Sequence, residues 1–222
     1  MSDSAVPSFA ALPHGMQLAL DQAWSSILGG SLGIGAAALD PDGAVIATGR
    51  NRILEDDPGD DVLAGTSVAH AEMNVLAKLR YREHESLHLF TTLQPCVQCL
   101  GAIRLSAVSS VTVLAPDPLF RGVEAMRDLT PFLASRWPEI TQRDPDEWSA
   151  FALLYPTHHM RDHPTLSEPW LRTLPTVHDT VRAIESDRVF DGAGSVAEAA
   201  ARVWSELGSC VGEIVALATD SG

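Results

Sequence analysis

The chain has 222 residues, of which 45% are hydrophobic and 20% charged, with 16 glycines and 14 prolines spread along it. This profile is typical of a globular protein and excludes a disordered or fibrous chain. Acidic residues number 29 against 15 basic ones, and the resulting net charge of -14 disfavours nucleic acid as a partner, because the average field repels phosphate.

Membrane insertion and export are not expected either. No stretch approaches about 18 unbroken apolar residues, and the amino terminus lacks the basic start and apolar run of a secretory signal. The three cysteines, an odd number, argue against a disulfide framework and for metal binding or catalysis. The sequence therefore predicts a cytoplasmic protein.

Apolar periodicity and turn residues predict the elements of the first half of the chain. In order they are a helix over Met16–Leu28, a hairpin of "IGAAALD" and "AVIATGR" around a turn at Pro41–Gly43, an acidic loop over Asn51–Thr66, a helix over Ala69–Tyr81, a strand over Leu87–Leu93, a helix from Pro95 to Ser106 and a strand over Ser109–Pro116. This order is typical of a mixed sheet covered by helices.

The second half has weaker signals. The predicted elements are a helical stretch within Gly122–Trp137, a short edge strand in "PEITQRD", a helix over Asp146–Tyr155, a Pro- and His-rich connector over Pro156–Pro175 and an amphipathic helix from about Ser195 to Ala218. We expect a three-layer α/β/α fold with a mixed sheet of about five strands and a helical carboxy-terminal extension. The expected domains are a catalytic domain over residues 1–155 and the extension over residues 156–222.

Two short motifs carry the chemistry. "HAE" places His70 and Glu72 two residues apart, and "PCVQC" places Cys96 and Cys99 three apart after a proline. One imidazole and two thiolates are three ligands for tetrahedral zinc, and they leave the fourth position to water, as in a catalytic rather than a closed structural site. Glu72 is then a carboxylate that the metal does not need.

The spacing within the two motifs indicates that their residues lie at the starts of helices. Cys96 and Cys99 share one helix face, and the positive end of that helix favours their thiolate forms. In mid-helix His70 and Glu72 would diverge by about 200°, but at the first turn they need not. We therefore expect His70 to bind the metal beyond the helix end and Glu72 to act as the base toward water.

These residues resemble the cytidine deaminase-like zinc aminohydrolases, whose signature is H-x-E…P-C-x-x-C. The resemblance covers about Met16 to Trp148. It implies that His70, Cys96 and Cys99 bind Zn²⁺ and that Glu72 carries protons from water to a ring nitrogen and then to the leaving amine. The implied reaction converts an aminated nucleobase, nucleoside or related heterocycle to its oxo form with release of ammonia.

The branch that this chain looks like, the bacterial tRNA adenosine and guanine deaminases, suggests further site residues. The resemblance implies substrate contacts at Asn51, Ala71, Asp117 and Phe120, and a homodimer. An asparagine at position 51 could equally cap a strand-to-loop turn. The chain also departs from these relatives, which tend toward a shorter "DPTAHAE" approach and toward "TLEPC", where this sequence has Gln94.

Other interpretations stay open at this point. A zinc-stabilised binding module would use the same three ligands without needing Glu72, and a nucleic-acid (tRNA) editing deaminase would need a basic landing surface that the sequence does not display. A closed structural zinc site or a redox pair of Cys96 and Cys99 are further alternatives. The histidines at 158, 159 and 163 could form a second metal site, although such a cluster is more often solvated.

Overall fold

The computed structural model describes residues 9–57, 59–161, 164–186 and 190–219. Its centre is a five-stranded mixed sheet with the order β2-β1-β3-β4-β5. The strands are β1 (Gly35–Leu39), β2 (Val45–Arg50), β3 (Leu87–Leu93), β4 (Val108–Ala115) and β5 (Glu139–Gln142). β1 pairs antiparallel with β2 and β3, whereas β3, β4 and β5 run parallel to one another. The predicted hairpin, the two inner strands and the edge strand are all confirmed.

Helices cover the sheet and extend the chain beyond it. They are α1 (His14–Leu28), α2 (Ala71–Ala77), α3 (Val97–Leu105), α4 (Pro131–Ala134), α5 (Glu147–Met160), α6 (Ser167–Thr173), α7 (Pro175–Ser186) and α8 (Val196–Thr219), with 3₁₀ turns at Phe9–Ala11 and Val123–Leu129. α2 is shorter than the predicted helix, because His70 is extended (φ -75°, ψ 158°) and the helix ends at Lys78. No helix in the described ranges is long and apolar enough to cross a membrane.

The core has two parts, one on each face of the sheet. Side chains of α2 and α3 pack with Leu87, Leu89, Val111 and Val113 on one face. On the other face α1, α5 and the carboxy-terminal helices pack together, with Trp148 and Trp170 buried among them. Alternate strand residues therefore point to opposite layers, as period-2 burial requires. The predicted three-layer α/β/α fold with its helical extension is confirmed.

Close packing of β2 on α2 fixes the position of the motif helix. A Cβ atom added to Gly49 would lie 2.7 Å from the carbonyl oxygen of Ala71 and 2.7 Å from the amide nitrogen of Val75. Only glycine lets the strand and the helix approach this closely. The side chain of Asn74 adds a second link, since its Nδ2 donates to the carbonyl of Arg50 at 3.0 Å and to that of Leu63 at 3.1 Å.

The predicted acidic loop has no helix or strand in its described residues, and ion pairs hold it. Glu55 accepts from Arg52 at 2.7 Å, and Asp61 accepts from Lys78 at 2.7 Å. Both carboxylates are at most 9% exposed. Glu55 and Asp61 thus face inward toward cations, whereas Asp56, Asp57 and Asp60 are exposed.

The connector predicted over Pro156–Pro175 is wrong in part. α5 continues through Pro156 to Met160, and α6 and the start of α7 occupy most of the remainder. Proline is tolerated in the first turn of a helix, where Pro169 and Pro175 lie, so their presence does not break these helices. The domain division at residue 155 stays a prediction, and α5 runs across that point.

Candidate metal and substrate site

The two motifs meet at the starts of α2 and α3, as the spacing predicts. His70 and Cys96 are the extended residues before the two helices, and Glu72 and Cys99 lie in their first turns. The parallel strand β3 ends just before Cys96, so its carboxyl end brings the second motif beside the first. Glu72 is only 3% exposed and Cys99 is fully buried.

The three metal-ligand atoms form a compact triangle. Nδ1 of His70 lies 3.6 Å from Sγ of Cys96 and 3.5 Å from Sγ of Cys99, and the two sulfurs are 3.6 Å apart. Around a tetrahedral zinc with Zn–S of about 2.3 Å and Zn–N of about 2.0 Å, the corresponding separations are roughly 3.5 Å for N···S and 3.8 Å for S···S. The donor set and its spacing therefore fit zinc. It is the one such ligand group within the described ranges, and His163 of the histidine cluster lies outside them.

Electrostatics at the triangle treat the two sulfurs differently, because contact with Cys96 and burial raise the pKa of Cys99. Hydrogen-bonding contact with Cys99, and then with His70, lowers the pKa of Cys96 to about 4, so that this sulfur is a thiolate near neutral pH. Thiolate, and not thiol, is the form that binds a metal ion.

Glu72 lies beside the triangle with one carboxylate oxygen anchored. Its Oε1 accepts a hydrogen bond from the hydroxyl of Thr91 at 2.9 Å, and its Oε2 lies 3.4 Å from Sγ of Cys99. Burial raises the pKa of Glu72 above its ordinary value. A buried carboxylate of this kind, held beside a metal centre, is suited to taking up and releasing protons.

A cavity of about 740 Å³ opens onto these residues. His70, Glu72 and Cys96 line it together with three of the predicted substrate-binding residues, Asn51, Asp117 and Phe120. The fourth, Ala71, is fully buried and is not among the lining residues, so its contact with a substrate stays a prediction.

Asn51 combines the two roles that the sequence left open. Its Oδ1 accepts from the backbone amide of Ile53 at 3.2 Å, which caps the turn after β2, and from the hydroxyl of Ser31 at 2.9 Å. These bonds fix the orientation of the side-chain amide, which is 1% exposed. Its Nδ2 has no protein partner among the described residues, which leaves two N–H donors for a ligand.

Asp117 begins the loop after β4 and is held by its neighbours. Its Oδ1 accepts from the amide of Leu119 at 2.7 Å, and its own amide donates to Oε1 of Gln94 at 3.0 Å. Nε2 of Gln94 in turn donates to Oε1 of Glu124 at 2.7 Å. Burial raises the pKa of Asp117 to about 7. Gln94 thus ties the loop to the start of α3.

The carboxy-terminal segment from Pro156 supplies one wall of the cavity, as we expect of a part in which the chain exceeds the core shared with its relatives. Its lining residues are Pro156, His159, Met160, Pro164, Leu166 and Trp170. Because the segment had the composition of a connector, only its helical structure and packing could identify these positions. The acidic loop also contributes, through Ile53 and Leu54.

Comparison with known proteins identifies the class of the protein. Residues 12–115 match the family model described as the cytidine and deoxycytidylate deaminase zinc-binding region. A cytosine deaminase of Candida albicans is 30% identical over 115 residues, which span 50% of this chain and 71% of that protein. A tRNA-specific adenosine deaminase of Streptococcus pyogenes is also 30% identical over 115 residues, which span 62% of that protein.

A solved structure from a study of A-to-I editing by tRNA:A34 deaminases is 28% identical, with a TM-score of 0.49, and the match covers 59% of this chain and 97% of that one. The chain belongs to the cytidine and deoxycytidylate deaminase family. Its cofactor is zinc, and among the described residues His70, Cys96 and Cys99 form a group that could hold the ion.

Proposed function

We propose that the protein is a zinc-dependent hydrolytic deaminase that converts an aminated nucleobase, nucleoside or related heterocycle to its oxo form and releases ammonia. The observation that carries the proposal is the position of Glu72. Its carboxylate is buried, lines the cavity and lies 3.4 Å from a metal-ligand sulfur, yet the metal does not need it as a ligand. A binding module would have no use for a carboxylate buried there, because removing the carboxylate from water costs free energy.

The chemistry follows from the residues around the cavity. A bound zinc ion supplies Lewis acidity, which makes water a nucleophile near neutral pH. Glu72 takes one proton from the attacking water and passes it to the ring nitrogen. It then takes the second proton from the hydroxyl now on the ring carbon and gives it to the amine, so that the C–N bond breaks, ammonia leaves and the hydroxyl oxygen becomes the carbonyl oxygen. Thr91 holds Oε1 of Glu72 in place through a hydrogen bond of 2.9 Å.

Substrate orientation is proposed to depend on three other lining residues. Nδ2 of Asn51 is the free donor and suits a ring nitrogen or carbonyl oxygen of the substrate. The carboxyl group of Asp117 suits an exocyclic amine, and the ring of Phe120 offers a face for a flat heterocycle. Cavity lining and the fixed amide of Asn51 support these roles.

An ammonia-release screen of the zinc-loaded protein tests the proposal. The compounds are cytosine, guanine, adenine, cytidine and an amino-triazine, each compared with the metal-free protein. We expect zinc-dependent release from at least one aminated ring. A zinc-loaded, folded protein that releases no ammonia from any of them, or from the tRNA described next, would favour the non-catalytic binding module.

A tRNA-editing deaminase is the second candidate, and the names of the streptococcal relatives favour it. The net charge of -14 opposes it, since a polynucleotide substrate needs a basic surface. Incubation with a tRNA transcript, followed by sequencing for inosine, separates the candidates. Inosine formation faster than the deamination of every free base would replace the small-molecule proposal.

We also propose that the protein is a cytoplasmic homodimer. Three free cysteines in the described residues are typical of a reducing compartment. Apolar side chains are exposed on and near α3, including Leu105 at 71% and Phe132 at 63%. The guanidinium of Arg104 lies 4.6 Å over the ring of Phe132, which places that ring beside α3. Light scattering at micromolar concentration tests the dimer, and a strict monomer would contradict it.

A further inference from the structure

The cavity is much larger than a single ring requires. Its volume is about 740 Å³. A cavity of about 150 Å³ is enough to hold benzene, so one six-membered heterocycle would fill roughly a fifth of the space. Volumes from about 300 to 1,000 Å³ are typical of pockets for ligands of drug size. The space beyond the reacting ring is therefore available to a substituent.

Most of the wall of this cavity is apolar. Eight of the twenty lining residues are polar, namely Asn51, Ser67, His70, Glu72, Gln94, Cys96, Asp117 and His159. The remaining surface is formed by aliphatic and aromatic side chains and prolines, among them Leu32, Ile53, Phe120, Met160, Leu166 and Trp170. Such a wall gains free energy from burying an apolar group and none from a sugar or phosphate.

Packing fixes the part of this wall that comes from the carboxy-terminal segment. Trp170 is 1% exposed, and its indole Nε1 donates to Oγ1 of Thr157 at 2.9 Å. Met160 and Leu171 are both partly buried, and both pack against the same hydrophobic core cluster. Met160 lines the cavity and Leu171 does not. Core packing therefore holds this part of the cavity wall in place.

The described lining residues also include no lysine or arginine to pair with a phosphate. The acidic side chains among them are Glu72 and Asp117. Arg121 and Arg161 follow lining residues in the chain, but neither lines the cavity. A phosphate drawn into this space would lose water without gaining the guanidinium or ammonium partner that usually offsets that loss, and it would face two carboxyl groups.

We propose that the substrate of this site is an uncharged aminated heterocycle that carries an apolar substituent, an alkyl or aryl group, and that it is not a nucleotide. This inference rests on the proposed deaminase function and specifies its substrate class. The reacting ring occupies the polar part of the cavity beside Glu72, and the substituent lies against the apolar wall that includes Met160.

Equilibrium binding tests the inference without turnover. The probes are cytosine, 1-benzylcytosine and dCMP, and guanine, 9-benzylguanine and GMP, titrated calorimetrically into zinc-loaded Glu72→Gln protein. In the series that binds, we expect the benzyl compound to bind roughly 10- to 100-fold more tightly than the parent ring, the amount expected for burying an aromatic side chain. The nucleotide should bind at least about 10-fold more weakly than the benzyl compound.

Binding of a nucleotide as tight as that of the benzyl compound would overturn the inference. So would a benzyl group that adds no affinity, or the absence of binding by every probe. The ammonia screen reports separately on the proposed function. A protein that binds the benzyl compounds but releases no ammonia from any ring would refute catalysis and keep the apolar subsite. A protein that deaminates nucleotides best would confirm catalysis and refute the apolar subsite.

Paired variants locate the subsite. Met160→Ala should reduce the affinity for the benzyl compound about 3- to 10-fold and leave that for the parent ring unchanged, because only the substituent contacts this wall. Leu171→Ala removes a partly buried leucine from the same segment outside the cavity and should change neither affinity. If Met160→Ala does not fold, Leu166→Ala is the substitute. Equal losses in Met160→Ala and Leu171→Ala would contradict the assignment.

Discussion

The interaction of Gln94 with Glu124 predicts a charge-dependent change in stability. Nε2 of Gln94 donates to Oε1 of Glu124 at 2.7 Å, and its Oε1 accepts from the amide of Asp117 at 3.0 Å. Gln94→Glu keeps the shape and the bond from Asp117, but it replaces the donor with a carboxylate that faces another carboxylate. The relatives that this chain resembles tend to have glutamate here, so the substitution also tests why this chain differs.

The magnitude follows from the distance. Two carboxylates that separate to about 4 Å repel by about 4 kcal/mol at an effective dielectric constant of about 20. Both side chains are partly exposed, so solvent screening reduces this to about 1–2 kcal/mol. Loss of the hydrogen bond adds about 1 kcal/mol. We therefore expect Gln94→Glu to lower the free energy of unfolding by about 2–3 kcal/mol.

A double-mutant cycle measured by urea unfolding checks this reasoning. Glu124→Gln alone should cost less than about 1 kcal/mol, since two amides can still pair. The double variant Gln94→Glu/Glu124→Gln recreates the bond with donor and acceptor exchanged, and it should recover most of the stability lost in Gln94→Glu. If the double variant were as unstable as Gln94→Glu alone, repulsion between these residues would not be the cause.

Three further predictions concern the metal, the helix contact and the extension. The purified protein should contain about one zinc per chain by metal analysis, and Cys96→Ala should lose most of it; full retention would remove Cys96 from the ligand set. Gly49→Ala should lower the free energy of unfolding by about 1–3 kcal/mol in a denaturant titration, because its Cβ would meet backbone atoms of α2 at 2.7 Å, and an unchanged value would mean that α2 shifts freely. Truncation after Tyr155 cuts α5 and removes α6, α7 and α8, so cooperative thermal unfolding should be lost; a truncated protein that unfolds like the full chain would make residues 156–222 a separate domain.

The zinc site and the sheet could be predicted because their signals are local. The ligand types and spacings of His70, Cys96 and Cys99 restrict the metal geometry, and both motifs lie at helix starts as the spacing required. The strands also followed from apolar alternation, and Leu87–Leu93 has the predicted bounds. Local chemistry and local periodicity were sufficient for these elements.

That the carboxy-terminal segment shapes the pocket could be expected from its lying beyond the shared core, but its helices and its individual lining side chains could not be predicted. The segment after Tyr155 contains prolines and histidines, which indicate a connector, but Pro169 and Pro175 lie in first turns, where a proline costs no helical hydrogen bond. The helices are stabilised by tertiary burial, as at Trp170, which is 1% exposed. Propensity is a weak guide where such packing decides the structure. The cavity wall at Met160 and Trp170 therefore became visible only in three dimensions.

Turnover by Glu72→Gln tests the central claim most directly. The amide is nearly isosteric and leaves the ligands His70, Cys96 and Cys99 in place, so fold and zinc content should be preserved. Ammonia release from the best substrate would be compared for the two proteins at equal zinc content and near neutral pH. General acid and base steps contribute about 10² to 10⁴ in rate each, and we expect a loss of at least about 10²-fold. A variant within a few-fold of the parent would contradict the role of Glu72 in proton transfer.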